Sequence, residues 1–158
     1  MIKSGGSFFY KGKRCVIGAV ISLKGLHYIV AASHIFHGTE YHVEVDGKEA
    51  AVKIFVKDFD LALIELPSDC IVETTNFGKA VVLDDALLAN ETHVIACRVI
   101  NAGSSLLYLS FFSDMPQPGD SGSPILQAGK VIGLISSMRL STCMGTAISS
   151  DVLINMIR

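Results

Sequence analysis

The chain has 158 residues, of which half are hydrophobic and only 18% are charged, and its formal net charge is −2 at pH 7. This composition provides enough apolar side chains for a buried core and excludes an intrinsically disordered chain. The net charge and the absence of Lys/Arg blocks argue against a nucleic-acid-binding surface. No apolar run approaches the roughly 20 residues that a membrane-spanning helix needs, so we expect no membrane span.

The cysteines indicate neither a metal site nor a defined disulfide framework. Cys15, Cys70, Cys97 and Cys143 are widely spaced, no CxxC occurs, and no Cys/His pair has the spacing of zinc ligands. Two disulfides are possible, but Cys15 and Cys97 lie in apolar strand-like runs, where a buried free thiol is common. The N-terminus shows no basic-then-apolar signal pattern. We therefore expect reduced cysteines, no metal, no cofactor and a cytoplasmic location rather than secretion.

Short strands dominate the first half of the chain. β-branched and aromatic runs separated by turn residues predict them, and Asp46-Gly47 is the strongest hairpin signal. The predicted strands of this half cover residues 7–10, 15–22, 27–32, 41–45, 49–56 and 61–66.

The second half repeats this pattern after a looser stretch at 68–76, which we interpret as the seam between two halves of one domain. Its predicted strands cover residues 80–83, 92–99, 106–112, 130–136 and 143–148. The segment 150–158 begins with Ser-Asp at a suitable N-cap and has apolar residues at helical spacing. Short strands at roughly ten-residue spacing with one terminal helix predict an all-β sandwich or barrel.

The stretch Gln-Pro-Gly-Asp-Ser-Gly-Ser-Pro at 117–124 places Ser121 on a tight turn between two strand-forming segments. Gly119 and Gly122 carry no Cβ, so main-chain N–H groups can point into a common space beside the serine. Such amides could hold an anionic oxygen. The alternative is that the stretch is only a turn, because Gly, Asp and Ser are the usual turn residues.

A serine nucleophile needs a base that takes its proton. The five histidines are at positions 27, 34, 37, 42 and 93. His34 follows a buried strand at the point where the strand breaks, which suits a cleft, although a purely structural histidine is the alternative. His27 and His42 fit surface or cross-strand positions, and His93 lies at the edge of a polar loop.

The base in turn needs an orienting carboxylate. Asp60 immediately precedes the apolar run 61–64, so it enters the core and needs a hydrogen-bonded partner there. Asp58 lies two residues earlier and would share a strand face with Asp60, because side chains along a strand alternate between its faces. It is therefore the alternative candidate for the orienting carboxylate. A solvated loop acid is the better interpretation of Asp58, because it lies further from the apolar run.

Three blocks in the order His, Asp, Ser resemble the chymotrypsin-fold serine peptidases. Ile-Val-Ala-Ala-Ser-His at 29–34 is similar to the histidine block of that family, and Asp-Leu-Ala-Leu-Ile at 60–64 is similar to its aspartate block, which selects Asp60 over Asp58. Gly-Asp-Ser-Gly-Ser-Pro at 119–124 matches its serine block with one Gly-to-Ser change. The resemblance implies two antiparallel six-stranded β-barrels with the site between them.

The same resemblance implies the domain limits and the roles of the matching residues. One peptidase domain would comprise an N-terminal barrel at about 1–70, a C-terminal barrel at about 78–148 and the helix at 150–158. Ser121 would be the nucleophile, His34 the general base and then the general acid, and Asp60 the orienting carboxylate. The backbone N–H groups of Gly119 and Ser121 would form the oxyanion hole.

The resemblance also indicates a substrate-binding region. Ser136, with Ser137 and Met138 after it, would open a strand that pairs with an extended peptide. Met115, next to Pro116, would lie at the base of the first specificity pocket. Because a thioether offers no carboxylate to Arg or Lys, we expect cleavage after a small or medium apolar residue.

The sequence therefore predicts a serine endopeptidase of the compact bacterial or viral type, acting on protein or peptide substrates through an acyl-enzyme. We expect a regulatory or polyprotein-processing role rather than a digestive one, which for a viral protein would place it in the host cytoplasm. Residues 1–4, Met-Ile-Lys-Ser, do not match the Ile-Val-Gly-Gly terminus that activates the digestive members, so no zymogen-type switch is expected. The alternative is a catalytically silent peptidase-fold module that binds peptides or protein partners; the presence of all three triad residues argues against it.

Overall fold

A computed structural model describes residues 1–157, and within this range antiparallel strands form about half of the chain. The strands alternate buried and exposed side chains, as expected for sheets with one face on a core. Three short 3₁₀ turns span Ser33–Ile35, Pro118–Asp120 and Leu140–Thr142.

The N-terminal half forms one antiparallel sheet in the order β2-β1-β5-β6-β7-β4-β3. Its strands are β1 (Ser7–Tyr10), β2 (Lys13–Val16), β3 (Ala19–Leu23), β4 (Leu26–Ala31), β5 (His42–Val45), β6 (Lys48–Phe55) and β7 (Ala62–Glu65).

The two strands at the ends of this sheet, β2 and β3, are consecutive in the chain. Only Ile17 and Gly18 separate them, and these residues remain hydrogen-bonded on opposite sides. The Ile17 N–H donates to the Gly6 carbonyl oxygen and the Gly18 N–H to that of Val30, both at 2.8 Å. The predicted strand 15–22 is therefore one bent stretch that is divided into two strands, and its bend turns the sheet into a half-barrel.

The C-terminal half is a closed six-stranded barrel in the order β10-β13-β12-β11-β8-β9, as predicted. Its strands are β8 (Asp85–Ala89), β9 (Val94–Ala102), β10 (Leu106–Phe111), β11 (Pro124–Gln127), β12 (Lys130–Arg139) and β13 (Met144–Ser149). Helix α1 (Ser150–Ile157) follows and confirms the predicted terminal helix, except that its predicted last residue, 158, lies outside the described residues. No helix in the described part of the chain is long or apolar enough to cross a membrane.

One predicted strand is wrong. Residues 80–83 are irregular and end in a turn at Val82 and Leu83, where Leu83 has a φ of 71°, and the strand begins only at Asp85. The side chain of Gln127 takes the place of strand pairing at Val81. Its Oε1 accepts from the Val81 N–H at 2.8 Å, and its Nε2 donates to the Val81 carbonyl at 3.0 Å. A side chain from β11 thus satisfies the backbone that a neighbouring strand would otherwise pair.

The two halves share a hydrophobic core. Besides one apolar cluster inside each half, a third cluster joins strands of both halves to α1. Its fully buried members include Ala19, Val30, Leu61, Leu63, Leu134 and Leu153. This shared core holds the two halves against each other beside the candidate residues.

Candidate active site

The three candidate triad residues lie at the ends of regular elements that meet between the halves. His34 lies in the 3₁₀ turn after β4, and Asp60 lies just before β7. Because β4 and β7 pair with Ala31 opposite Ala62, the strand ends place His34 beside Asp60. Ser121 follows the 3₁₀ turn before β11 in the other half. The site therefore depends on the contact between the two sheets.

Two contacts hold His34 to Asp60. The ring Nδ1 lies 2.6 Å from Asp60 Oδ2, and the His34 main-chain N–H donates to Asp60 Oδ1 at 2.9 Å. A carboxylate at Nδ1 favours the tautomer with its proton there, which leaves Nε2 as an acceptor. The rival Asp58 is exposed on the loop with a φ of 71°, and the carboxylate in contact with the histidine is that of Asp60.

Two hydroxyl groups complete the environment of Asp60. Ser33 Oγ donates to Oδ1 and Ser136 Oγ donates to Oδ2, each at 2.9 Å. Burial has the largest single effect and by itself raises the pKa of Asp60, but the hydrogen bonds from His34, Ser136 and Ser33 together hold this pKa below its usual value. The carboxylate is therefore kept ionised. The sequence did not suggest this role for Ser33.

Ser121 lies on the other side of the imidazole. Its Oγ is 2.9 Å from His34 Nε2, so Asp60, His34 and Ser121 form one continuous chain of contacts. Gly122 permits this approach: its φ is 82°, and a Cβ there would lie 2.9 Å from the backbone nitrogen of Ala32. The residue after the serine can therefore pack directly on the chain that leads to His34.

The loop before Ser121 adopts a conformation that the sequence did not reveal. The Pro118 carbonyl oxygen accepts the Ser121 N–H at 3.3 Å and the Ser121 hydroxyl at 2.9 Å. Because a trans peptide is planar, the N–H of Gly119 points away from the serine. The 3₁₀ turn thus directs a carbonyl oxygen, rather than two amides, toward Ser121. The predicted oxyanion hole of Gly119 and Ser121 is not assembled in this conformation and requires the Pro118–Gly119 peptide to turn.

The strand edge predicted to bind substrate is accessible beside Ser121. On the edge of β12 that faces β11 and the residues just after Ser121, backbone pairing ends at Ile135. The Ile135 N–H donates to the Ser123 carbonyl oxygen, and the Ile135 carbonyl oxygen accepts the Gly122 N–H. Beyond Ile135, residues 137–139 pair with β13 on one edge. Their other edge forms no backbone hydrogen bond with residues 1–157. Ser136 itself points its hydroxyl at Asp60, and the hydroxyl of Ser137 lies 2.6 Å from that of Thr146 on β13.

The predicted specificity residues lie around the same barrel wall. Met115 and Met138 are half-buried and pack against the core of the C-terminal barrel, and Pro116 is buried. A Cβ built on Gly145 would lie 2.7 Å from the Met138 sulfur and 3.0 Å from the ring of Phe111. The Met138 side chain therefore fills the space that the absent side chain of Gly145 leaves open.

Of the other histidines, His93 departs most from expectation. The sequence placed it at the edge of a polar loop, but its ring nitrogen lies 2.7 Å from the buried carboxylate of Asp120, the residue before Ser121. The sequence contains one indication of this contact, because an acid inside a well-packed turn needs hydrogen-bond donors. His42 lies on β5 with its ring 3.6 Å from Glu49 of the neighbouring strand, as its cross-strand position predicted.

Other features of the described chain do not converge on this site. Among residues 1–157, no group of three or more His, Cys, Asp or Glu side chains is arranged to hold a metal ion. A cleft of about 970 Å³ beside the N-terminal segment is lined by Lys3, Glu73 and Asn90, among others, and includes none of the triad residues. The four cysteines are free, and burial raises the pKa of the Cys97 thiol to about 12.

Comparison with known proteins agrees with this architecture. No protein-family model matches the chain, and no curated protein sequence matches it significantly. Among solved structures, it is similar to Thermobifida fusca Protease A, with a TM-score of 0.78 and 15% identity over 98% of this chain and 94% of that one. Nocardiopsis Protease gives 0.76 and 17% over 99% and 96%, and a human pathogenic astrovirus serine protease gives 0.64 and 18% over 94% and 91%. The chain therefore has the chymotrypsin fold of serine proteases.

Proposed function

We propose that the protein is a serine endopeptidase with Ser121 as nucleophile, His34 as general base and acid, and Asp60 as orienting carboxylate. The observation that carries the proposal is the continuous chain of contacts from Asp60 through His34 to Ser121, at 2.6 and 2.9 Å. The similarity of the fold to serine proteases supports it. We further propose a regulatory or polyprotein-processing role, for which the compact chain is suited.

The proposed reaction follows from the direction in which each group can move a proton. Ser121 Oγ forms a bond to the carbonyl carbon of the scissile peptide while its proton passes to His34 Nε2. Ionised Asp60 stabilises the imidazolium that results. The ring then gives this proton to the leaving amine as the C–N bond breaks, and a water molecule hydrolyses the acyl-enzyme by the reverse sequence of proton transfers.

The reaction requires the loop before Ser121 to change. The Ser121 hydroxyl has one proton and two acceptors at 2.9 Å, His34 Nε2 and the Pro118 carbonyl oxygen. Turning the Pro118–Gly119 peptide removes the second acceptor and directs the Gly119 N–H toward the developing oxyanion. Gly119 itself has open surroundings, because no atom of another part of the described chain lies within 4 Å of a Cβ built on it.

The substrate that fits this site is an extended peptide. The unpaired edge of β12 beyond Ile135 can add the peptide as a strand beside Ser121. Met138 and Met115 supply apolar side chains on the adjoining barrel wall, and Met138 fills the space beside Gly145. We therefore propose cleavage after a small or medium apolar residue.

Labelling with a fluorophosphonate probe tests the proposed nucleophile, because such probes react with activated serines. We expect labelling of the wild type and its loss in Ser121→Ala and His34→Ala. The exposed residues Ser113 and His42 supply matched controls, and Ser113→Ala and His42→Ala should be labelled like the wild type. Equal labelling of Ser121→Ala and the wild type would contradict the proposal.

A catalytically silent peptide-binding module is the second candidate, favoured by the Pro118 carbonyl that faces Ser121. In that case, folded wild-type protein would not be labelled even in the presence of peptides that bind to it. Labelling that appears when a peptide is added would instead indicate that the Pro118–Gly119 peptide turns on binding.

A further inference from the structure

The acid directly before Ser121 is held by a cluster of donors that the proposed reaction does not use. The side chain of Asp120 is only 3% exposed. His93 Nδ1 lies 2.7 Å from its Oδ1 and 3.0 Å from its Oδ2, Asn90 Nδ2 donates to Oδ1 at 3.0 Å, and the Gln117 N–H donates to Oδ2 at 2.8 Å. A buried carboxylate is thus satisfied by three groups, two of which belong to the turn between β8 and β9.

This turn is itself fixed by its own hydrogen bonds. The Asn90 side-chain oxygen accepts the N–H groups of Thr92 and His93 at 2.8 Å each, and the Asn90 N–H donates to the His93 carbonyl at 2.9 Å. The two side chains are therefore presented to Asp120 from a closed hairpin turn. A donor that is fixed in advance loses little conformational entropy when it binds its acceptor.

The same turn also reaches the other side of the serine. Asn90 Nδ2 donates to the buried Ser123 hydroxyl at 2.8 Å, and the Ser123 N–H donates to the Asp120 carbonyl at 3.0 Å. Residues on both sides of Ser121 are thus attached to one turn of the C-terminal barrel.

We propose that His93, together with Asn90, is a positioning residue for the reaction: through Asp120 it holds the backbone of Ser121 in register with His34. This inference rests on the proposed peptidase function. With Gln117 and Asp120 held in place, the Pro118–Gly119 peptide between them can turn while Ser121 stays where it is. His93 touches neither the substrate edge nor the triad, so it acts through Asp120 alone.

Two substitutions at His93 separate the hydrogen bond from the volume of the ring. His93→Asn keeps an N–H donor at nearly the position of Nδ1, because both nitrogens are two bonds from Cβ. His93→Leu keeps comparable bulk and removes the donor, which leaves a buried carboxylate short of one partner. His42→Leu, on the exposed face of β5, is the matched control.

The first measurement is the rate and concentration dependence of fluorophosphonate labelling. We expect His93→Leu to lower the maximal labelling rate roughly tenfold to a hundredfold, as for loss of one hydrogen bond to a charged group, with half-saturation changed less than about twofold. His93→Asn should recover most of the rate, and His42→Leu should match the wild type. A His93→Leu variant that labels like the wild type, or a His93→Asn variant no faster than His93→Leu, would overturn the inference.

The second measurement does not depend on catalysis. Hydrogen–deuterium exchange of residues 117–123 should rise in His93→Leu and stay near the wild-type level in His93→Asn and His42→Leu. Absence of labelling in the wild type, both without and with an added binding peptide, would refute the proposed function, and exchange would still report whether His93 holds the loop. Unchanged exchange in His93→Leu would refute the inference whatever the labelling shows.

Discussion

Asp60 is the residue whose surroundings are most completely specified. It accepts hydrogen bonds from the ring and the backbone of His34 and from the hydroxyls of Ser33 and Ser136. These donors lie in both halves of the molecule, since Ser136 belongs to β12. One carboxylate therefore orients the His34 ring and also ties the two halves together at the candidate site.

The lowered pKa of Asp60 gives a prediction about stability and pH. A carboxylate with a lowered pKa in the folded state stabilises that state at pH values above its unfolded pKa of about 3.9, and this contribution is lost as the pH falls through the folded value. We expect Asp60→Asn to unfold more easily than the wild type above about pH 5, by roughly 1–3 kcal/mol. The difference should shrink below about pH 4. Urea unfolding followed between pH 3 and 7 measures it.

Asp58→Asn is the control for that experiment, because Asp58 is exposed two residues earlier and Asn tolerates its left-handed backbone. Its free energy of unfolding should follow that of the wild type across the whole pH range. A constant difference between Asp60→Asn and the wild type from pH 3 to pH 7 would contradict the assigned cause.

Strand β12 is the element that would combine binding and catalysis in the proposed function. Gly133 and Leu134 of this strand pair with both β11 and β13, whereas residues 137–139 are paired only with β13 among the described residues. Along this segment the chain presents Ser136 to Asp60, then a free backbone edge, then the Met138 side chain over Gly145. The strand that orients the carboxylate would thus also limit the size of the proposed specificity pocket.

Substitution of Met138 should therefore change specificity. Met138→Gly leaves an apolar space between Gly145 and Phe111, and a larger side chain that fills it would bury additional area. We expect kcat/KM for peptides with Leu or Phe before the scissile bond to rise about tenfold or more relative to Ala, from roughly 1.5–3 kcal/mol of added burial. Peptide-library profiling measures this ratio.

Met138→Leu conserves volume and should keep the preference of the wild type. Robust cleavage after Lys or Arg by the wild type, or an unaltered profile for Met138→Gly, would show that Met138 does not define the pocket.

At the level of the whole molecule, the apolar cluster shared by the two halves and α1 maintains the site. Leu153 of α1 is fully buried in this cluster, together with Val30 of β4 and Leu134 of β12. These strands lead to His34 and Ser136, so a rigid contact between the halves fixes the distances in the triad.

Truncation in this cluster should affect both stability and activity. We expect Leu153→Ala to lower the free energy of unfolding by about 2–5 kcal/mol, because a buried cavity forms. Ile157→Ala lies on the same helix, where the side chain is 41% exposed, and should cost less than about 1 kcal/mol. Thermal and urea unfolding compare the two variants; equal losses would mean that α1 does not contribute to the shared core.

The features that could be predicted from sequence are those with a local signal. Alternating apolar residues and hairpin turns predicted most strands, although a strand was expected at residues 80–83 and none at Asp85–Ala89, where β8 lies. His34, Asp60 and Ser121 were recognised because each follows or precedes a buried strand within a short characteristic block. The choice of Asp60 over Asp58 agrees with the contacts in the structure.

Other features depend on residues that are distant in sequence, and no local pattern reports them. The pairing of Gln127 with Val81, the donation of Ser33 to Asp60 and the contact of His93 with Asp120 all form only when separate strands are brought together. The amino-acid sequence by itself thus determined the strand content, the terminal helix and the identity of the candidate triad, because these follow from periodicity and short blocks. Only the tertiary structure decided that the Pro118 carbonyl faces Ser121 and that His93 holds Asp120, because a peptide orientation and a long-range hydrogen bond are set by packing.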